Sequence, residues 1–420
     1  AALVLGTAAV PAHAAPVPFP EAPRPGISFN GTVYAVLMSG DIAYVGGSFT
    51  SVTGSNGTAT RNRLAALQLS TGRVLDFRAD ANAPVRALAL AAGGSLFVGG
   101  DFTRVGSSDR AYLAEVDAAT GAVRTTRRDA DARVRALAVI GDRIYVGGDF
   151  SRFHGAARSH LAAMTVSSRQ LVAGFAPTFN GNVRAITGTA DGSEIYVGGG
   201  FTRANGWAHR YLTGLGRGGA VRGPVFDLVA ENQVLALTMD GSRLFAGVGG
   251  ASTGNEVARF DPVTGAKRWF QRTEGDVQAV AYYGGNVYFG FHEGVTGDFS
   301  VRLLAADAGT GALQAAFRPT MNSFWGVWAL AASSRGLVAG GEFTTVNGTG
   351  AGRFAFFAAA DVPRPGISGL SVAPASPVVV LGPHGATSST PVVRVTTRWP
   401  ATHGSVRTVT MTGVRQGAPA

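Results

Sequence analysis

The sequence predicts an all-β protein: a seven-bladed β-propeller of four-stranded blades, followed by a small C-terminal β segment. Three observations lead there. A short motif, seen as Leu96-Phe97-Val98-Gly99-Gly100-Asp101-Phe102 and Ile144-Tyr145-Val146-Gly147-Gly148-Asp149-Phe150, returns with its first glycine at 46, 99, 147, 198, 247, 290 and 340. Seven copies at a period of about fifty residues mark a repeat architecture. Each unit holds four short apolar or alternating runs, the content of a propeller blade and about twice that of a β-helix coil. Sixty glycines in 420 residues, with 46% apolar and 15% charged side chains, suit many short strands joined by tight turns.

The unit from Val85 to Asp131 shows the elements in order. Val85 to Leu90 is a first strand, and a Gly93-Gly94 turn leads to a second at Leu96 to Gly99. A polar loop from Thr103 to Arg110 precedes a third strand, Tyr112 to Val116. Asp117-Ala118-Ala119-Thr120-Gly121 then turns the chain into a fourth strand around Val123, with glycine taking the positive φ of a tight hairpin. First strands covered on both faces by neighbouring blades read as apolar runs with little alternation. The paired glycines mark a close backbone approach, and the phenylalanine after them fills the space between blades.

Seven first strands begin at Val33, Val85, Val134, Val183, Val234, Val277 and Val327. The last unit lacks the Thr-Gly turn and fourth strand, and the N-terminal stretch between Val17 and Phe29 is expected to supply it. Prolines there are tolerable because an outermost strand is an edge. The expected boundaries are 1–14 for part of a secretory signal (an apolar run, then Ala12-His13-Ala14), 15–360 for the propeller, 361–368 for a linker, and 369–420 for an immunoglobulin-like or other small β module cut short.

The spaced G-G-x-F-T, R-x-x-L-A and D-x-x-T-G elements resemble the delta-sixty repeat family, β-propellers of secreted bacterial proteins. The resemblance covers about residues 26–360. Glu256-Val257-Ala258-Arg259-Phe260-Asp261 with Thr264-Gly265 and Trp269 is also similar to a quinoprotein-type repeat. The resemblance implies a propeller on a secreted protein and no established activity.

With no cysteine, disulfides, thiolate metal sites and cysteine nucleophiles are excluded. The formal charge of +10 is carried by arginine, with Lys267 the one lysine. It favours anionic partners, yet no dense basic block supports nucleic-acid binding, and no stretch qualifies as a membrane-spanning helix. Histidines show no metal-ligand spacing, and serines show no nucleophile elbow. No catalytic residue, metal or cofactor is therefore assigned.

A propeller works at the face where its inner strands begin. Three positions before each first-strand valine stand Asn30, Asn82, Asp131, Asn180, Glu231, Glu274 and Phe324. One position after it stand Tyr34, Arg86, Arg135, Arg184, Leu235, Gln278 and Trp328. One reading is a polar pocket for an anionic or sugar-like ligand; the other is turn capping and internal arginine pairing. The loop with Trp207, His209 and Tyr211, and the pair Trp325 and Trp328, offer aromatic faces for stacking on sugars or for packing between blades. The expectation is a secreted, monomeric, non-catalytic scaffold binding extracellular glycan or a surface protein. The alternative is a quinone-dependent dehydrogenase-like or polysaccharide-active enzyme at the channel mouth. Carboxylates converging on one pocket would favour the enzyme, and dispersed turn caps the scaffold.

Overall fold

Seven antiparallel sheets follow one another along the chain in the computed structural model, which describes residues 19–228, 232–250 and 254–360, with the backbone of 392–396 and 408–412. Their inner strands are Val33–Ser39, Val85–Ala91, Val134–Ile140, Val183–Gly188, Gln233–Met239, Val277–Tyr283 and Val327–Ser333. Each pairs with a second strand and that with a third, and the inner strands neighbour one another in a ring that closes from the seventh to the first. Among the described residues there is no helix.

Outer strands are less regular than the sequence suggests. The first, fourth and fifth blades carry them at Arg73–Val74, Val221–Arg222 and Lys267–Arg272. In the second, third and sixth blades they shrink to single bridges, Val116–Val123, Met164–Leu171 and Ala306–Leu313. An outer strand has one neighbour only, so a charged stretch such as Arg124 to Asp129 has little reason to extend the ladder.

The repeated glycines have a specific task. A Cβ at Gly99 would sit 2.5 Å from Val134 Cγ1, at Gly147 2.4 Å from Val183 Cγ1, and at Gly340 2.3 Å from Val33 Cγ1. The first glycine of each blade thus lets its second strand lie against the first inner valine of the next blade. Gly247 and Gly290, in the two blades where the motif decays, keep the same contact with Val277 and Val327. The second glycine faces a backbone carbonyl ahead of its own inner strand, as Gly148 faces the oxygen of Arg133. In the decayed blades the fully buried Val248 and Phe291 stand there instead. Phe49, Phe102, Phe150, Phe201 and Phe343 are wholly buried, in apolar clusters that mostly draw on adjacent blades.

The seventh blade ends on chain from the other terminus. Arg24 bridges Phe356, its amide donating to the Phe356 carbonyl at 2.8 Å. The Phe29 amide donates to the Gly352 carbonyl at 2.8 Å, and the Phe29 ring lies 4.6 Å from Phe49 and 5.7 Å from Phe354. Phe19, also buried, packs on Tyr283 and Tyr288.

Residues 363–420 form a separate unit, in which Val392–Thr396 pairs antiparallel with Thr408–Thr412. Residues 1–14, expected as part of a signal, the expected linker 361–368, and Glu231 lie outside the described residues.

Candidate functional site

The face where inner strands begin is built from β-hairpins between second and third strands. Arg203–Ala204 pairs with Trp207–Ala208 around an Asn205-Gly206 turn whose φ values, 48° and 81°, are those of a two-residue hairpin. Arg152–Phe153 and Ala156–Ala157 flank His154-Gly155 in the same way.

Four of the polar positions at the inner-strand entry hold these hairpins. Asn82 Oδ1 accepts from the amides of Thr103 and Arg104 at 2.9 and 3.0 Å, while its Nδ2 donates to Thr103 Oγ1. Asn30 accepts likewise from the amides of Thr50 and Ser51, Asp131 from those of Ser151 and Arg152, and Asn180 from those of Thr202 and Arg203. In the seventh blade the residue in this role is Asn322, not Phe324, which lies two residues further on and is exposed. None of the four lines the channel pocket; their polar atoms are taken up by the amides and hydroxyls of the hairpin loops.

The second set converges. Tyr34, Arg86, Arg135, Arg184, Leu235, Gln278 and Trp328, joined by Asp276 and Trp325, line one pocket of about 200 Å³. One residue per blade, one step past the first valine, puts seven side chains into the channel mouth.

The three arginines are not equivalent. Arg86 pairs with Asp101, its Nε and Nη2 at 2.9 and 2.8 Å from the carboxylate, which Arg133 also reaches. Arg135 holds Asp149 through two bonds of 2.7 and 2.8 Å. Arg184 donates from Nε to Asn182 Oδ1 at 3.2 Å, and among the described residues no carboxylate lies within ion-pair distance of it. The reason is local: where the second and third blades carry Asp101 and Asp149, the fourth carries Gly200. Burial, then the charge of Arg135, pushes the Arg184 guanidinium below its ordinary pKa.

Across the ring from the fourth blade stands an aromatic wall. Trp328 meets Tyr34 edge-on at 5.7 Å and Trp325 at 5.9 Å, and Trp325 continues to Phe324 and His292. The Arg86 guanidinium lies 4.8 Å from the Tyr34 ring centre. The Gln278 amide, with nitrogen toward the seventh blade, donates to the carbonyls of Val327 and Trp325 at 3.1 and 3.2 Å. Asp276 accepts from the Gly250 amide at 2.8 Å, and its own amide donates to His292 Nε2 at 3.0 Å. Burial alone would raise the Asp276 pKa, but His292, the Gly250 amide and the charge of Arg184 hold it below the usual carboxylate value.

The loop at 205–211 does not join this pocket. Trp207 is 70% exposed on its hairpin, whereas His209 and Tyr211 are buried, so the expected three-residue surface cluster is one tryptophan over two core side chains. His209 occupies the place of Arg110 and Arg158, which donate to the carbonyls of Arg124 and Ala173 and to their own hairpins. It contacts buried Thr213 Oγ1 at 3.3 Å, and burial lowers its pKa from 6.5. A depressed histidine pKa means that the unfolded chain takes the proton first. Stability therefore falls as pH drops below 6.5. His209→Arg is expected to flatten that decline between pH 7.5 and 5, measured as urea midpoints; equal declines in both proteins would refute it.

Among the described residues no three His, Asp or Glu side chains form a metal-binding group, and no helix is long and apolar enough to cross a membrane. Sequence reasoning missed Asp101, Asp149, Gly200 and Asp276. Three of these could have been found by comparing the residue after the glycine pair from blade to blade.

Ring closure, blade construction and a channel-mouth pocket define the class: this chain is a β-propeller. It is similar in fold to the WD40 propeller domain of Doa1, with TM-score 0.53 and 11% identity over 77% of this chain and 93% of that one. The propeller domain of Cps50 (Swd1) from Myceliophteria thermophila gives 0.52 and 14%, over 77% and 96%. The computationally designed Ika8 protein gives 0.49 and 14%, over 80% and 99%. No family model and no curated protein matches the chain.

Proposed function

We propose that the protein is a secreted, non-catalytic binding module that holds an extracellular glycan at its channel mouth, within the delta-sixty repeat group that its motifs resemble. One observation carries the reading: a pocket of about 200 Å³ in which a wall of Tyr34, Trp328 and Trp325 faces arginine, carboxylate and amide groups. Sugars bind in this way, by apolar ring faces stacking on aromatics and hydroxyls bonding to a few fixed polar groups. The volume is small beside the roughly 300–1,000 Å³ of sites for drug-sized ligands, and suits one sugar residue or a chain end. Two further observations favour binding over catalysis. Asp131 and the three asparagines cap turns, and among the described residues Asp276 alone supplies a carboxylate to the pocket lining. Hydrolysis by paired carboxyl groups needs two.

A glycan array probed with wild type, Trp328→Ala and Trp207→Ala tests it. Wild type and Trp207→Ala are expected to share a set of bound glycans, and Trp328→Ala to bind them about tenfold more weakly. A blank array for wild type, or loss on Trp207→Ala alone, would remove this site from the account.

A further inference from the structure

We infer that the glycan is acidic, and that its carboxylate, as in a uronic acid residue, pairs with Arg184 in the position left open by Gly200. This rests on the binding reading above and adds the charge of the ligand. The second and third blades show what the fold does with an arginine at this position. Each sets a carboxylate from the end of its second strand against it, Asp101 on Arg86 and Asp149 on Arg135, both by more than one hydrogen bond. The fourth blade keeps the arginine and drops the acid.

The backbone does not demand glycine there. Gly200 is not in the left-handed region, and a Cβ on it would meet Asn182 Oδ1 at 3.2 Å and Gln233 Oε1 at 3.4 Å, flexible side-chain ends that can give by a few tenths of an ångström. A half-buried guanidinium bonded only through Nε, with Arg135 disfavouring its charge and Asp149 and Asp276 favouring it from beyond ion-pair distance, keeps its Nη groups for an entering carboxylate. Two pocket features narrow the anion. Asp276 carries its own negative charge into the lining, which opposes a dianion such as phosphate and suits a singly charged group whose neighbouring hydroxyls can donate to a carboxylate. The aromatic wall on the opposite side of the ring receives the sugar face, which an acidic side chain of a protein would not offer.

The experiment uses the full chain, with intrinsic tryptophan fluorescence or calorimetry as the readout and two probes: trigalacturonate and its methyl ester, which keeps the sugar but removes the charge. The variants are Gly200→Asp, which gives the fourth blade the acid of its neighbours, and Arg184→Gln. Wild type is expected to prefer the acid form by about tenfold or more, the scale of a charge-assisted pair. Gly200→Asp and Arg184→Gln are each expected to abolish that preference and keep ester binding within about twofold. Unchanged thermal midpoints show that either variant is folded, and one folded variant suffices.

Equal wild-type affinity for acid and ester, or a preference that survives in a folded variant, overturns the carboxylate assignment while leaving glycan binding intact. Failure to bind either probe, together with a blank array, overturns the underlying reading as well. Equal or tighter binding of a glutamate-rich hexapeptide, insensitive to Trp328→Ala, would replace the sugar by an acidic protein segment.

Discussion

Gly147→Val is expected to lower the thermal midpoint by about 2–5 °C, more than any substitution on the pocket face. The Cβ alone would lie 2.4 Å from Val183 Cγ1 and 3.1 Å from Ile186 Cδ1. Val183 is fully buried at the base of the next inner strand, so neither side of the seam can move without shifting a whole blade. Overpacking a dense interior costs about 1–3 kcal/mol, and here the ring must also absorb the displacement. Gly174→Val is the control, since a Cβ there meets nothing within 4 Å and the φ is not left-handed. Melting curves that coincide for the two variants would show that the seam does not depend on the missing side chain.

The second large effect is expected from Phe29→Ala. The side chain is 3% exposed and lies between Phe49 of the first blade and Phe354 of the last. Truncating a buried phenylalanine costs about 3–5 kcal/mol, and this one also joins the two ends of the chain. Its loss loosens the stretch that carries Arg24 to Phe356, so the third strand of the last blade, Phe354–Ala358, gains an open edge. Lower stability should therefore come with self-association, visible by size-exclusion chromatography on gentle heating. A variant with the wild-type elution volume and midpoint would show that closure contributes little.

Why the architecture was legible and the site only partly so follows from the repeat itself. A glycine recurring ahead of a fixed place in the next unit reports a seam, because the seam forbids a side chain in every blade. The position one past each valine was equally readable, since the ring maps one repeat position onto one circle in space. The position three before it failed as a pocket marker because it belongs to the hairpin. A pattern was present: Asn30, Asn82, Asp131, Asn180 and Asn322 each stand ahead of a Ser or Thr whose amide or hydroxyl they bond. Counting back from Val327 missed Asn322 because the seventh entry segment is two residues longer. Asp276 had no counterpart to betray it, as Thr32, Pro84, Arg133 and Asn182 hold that place elsewhere. The burial of His209 was hidden because only alignment with Arg110 and Arg158 shows it standing in for an interior arginine.

Closure of the ring by its own N-terminal segment has a consequence in time. Phe29 and Arg353, which share a hydrogen bond, are 324 positions apart. At roughly 5–20 residues per second, this earlier segment waits on the order of tens of seconds for its partner. During that interval Phe19 has no blade to enter, and Ile27 and Phe29 have only the first-blade half of their cluster. Pro20, Pro23 and Pro25 sit among them, and a proline-broken strand is a poor template for pairing with a stranger. The same prolines that an outermost strand tolerates in the finished ring thus keep the unfinished one from aggregating through its oldest edge.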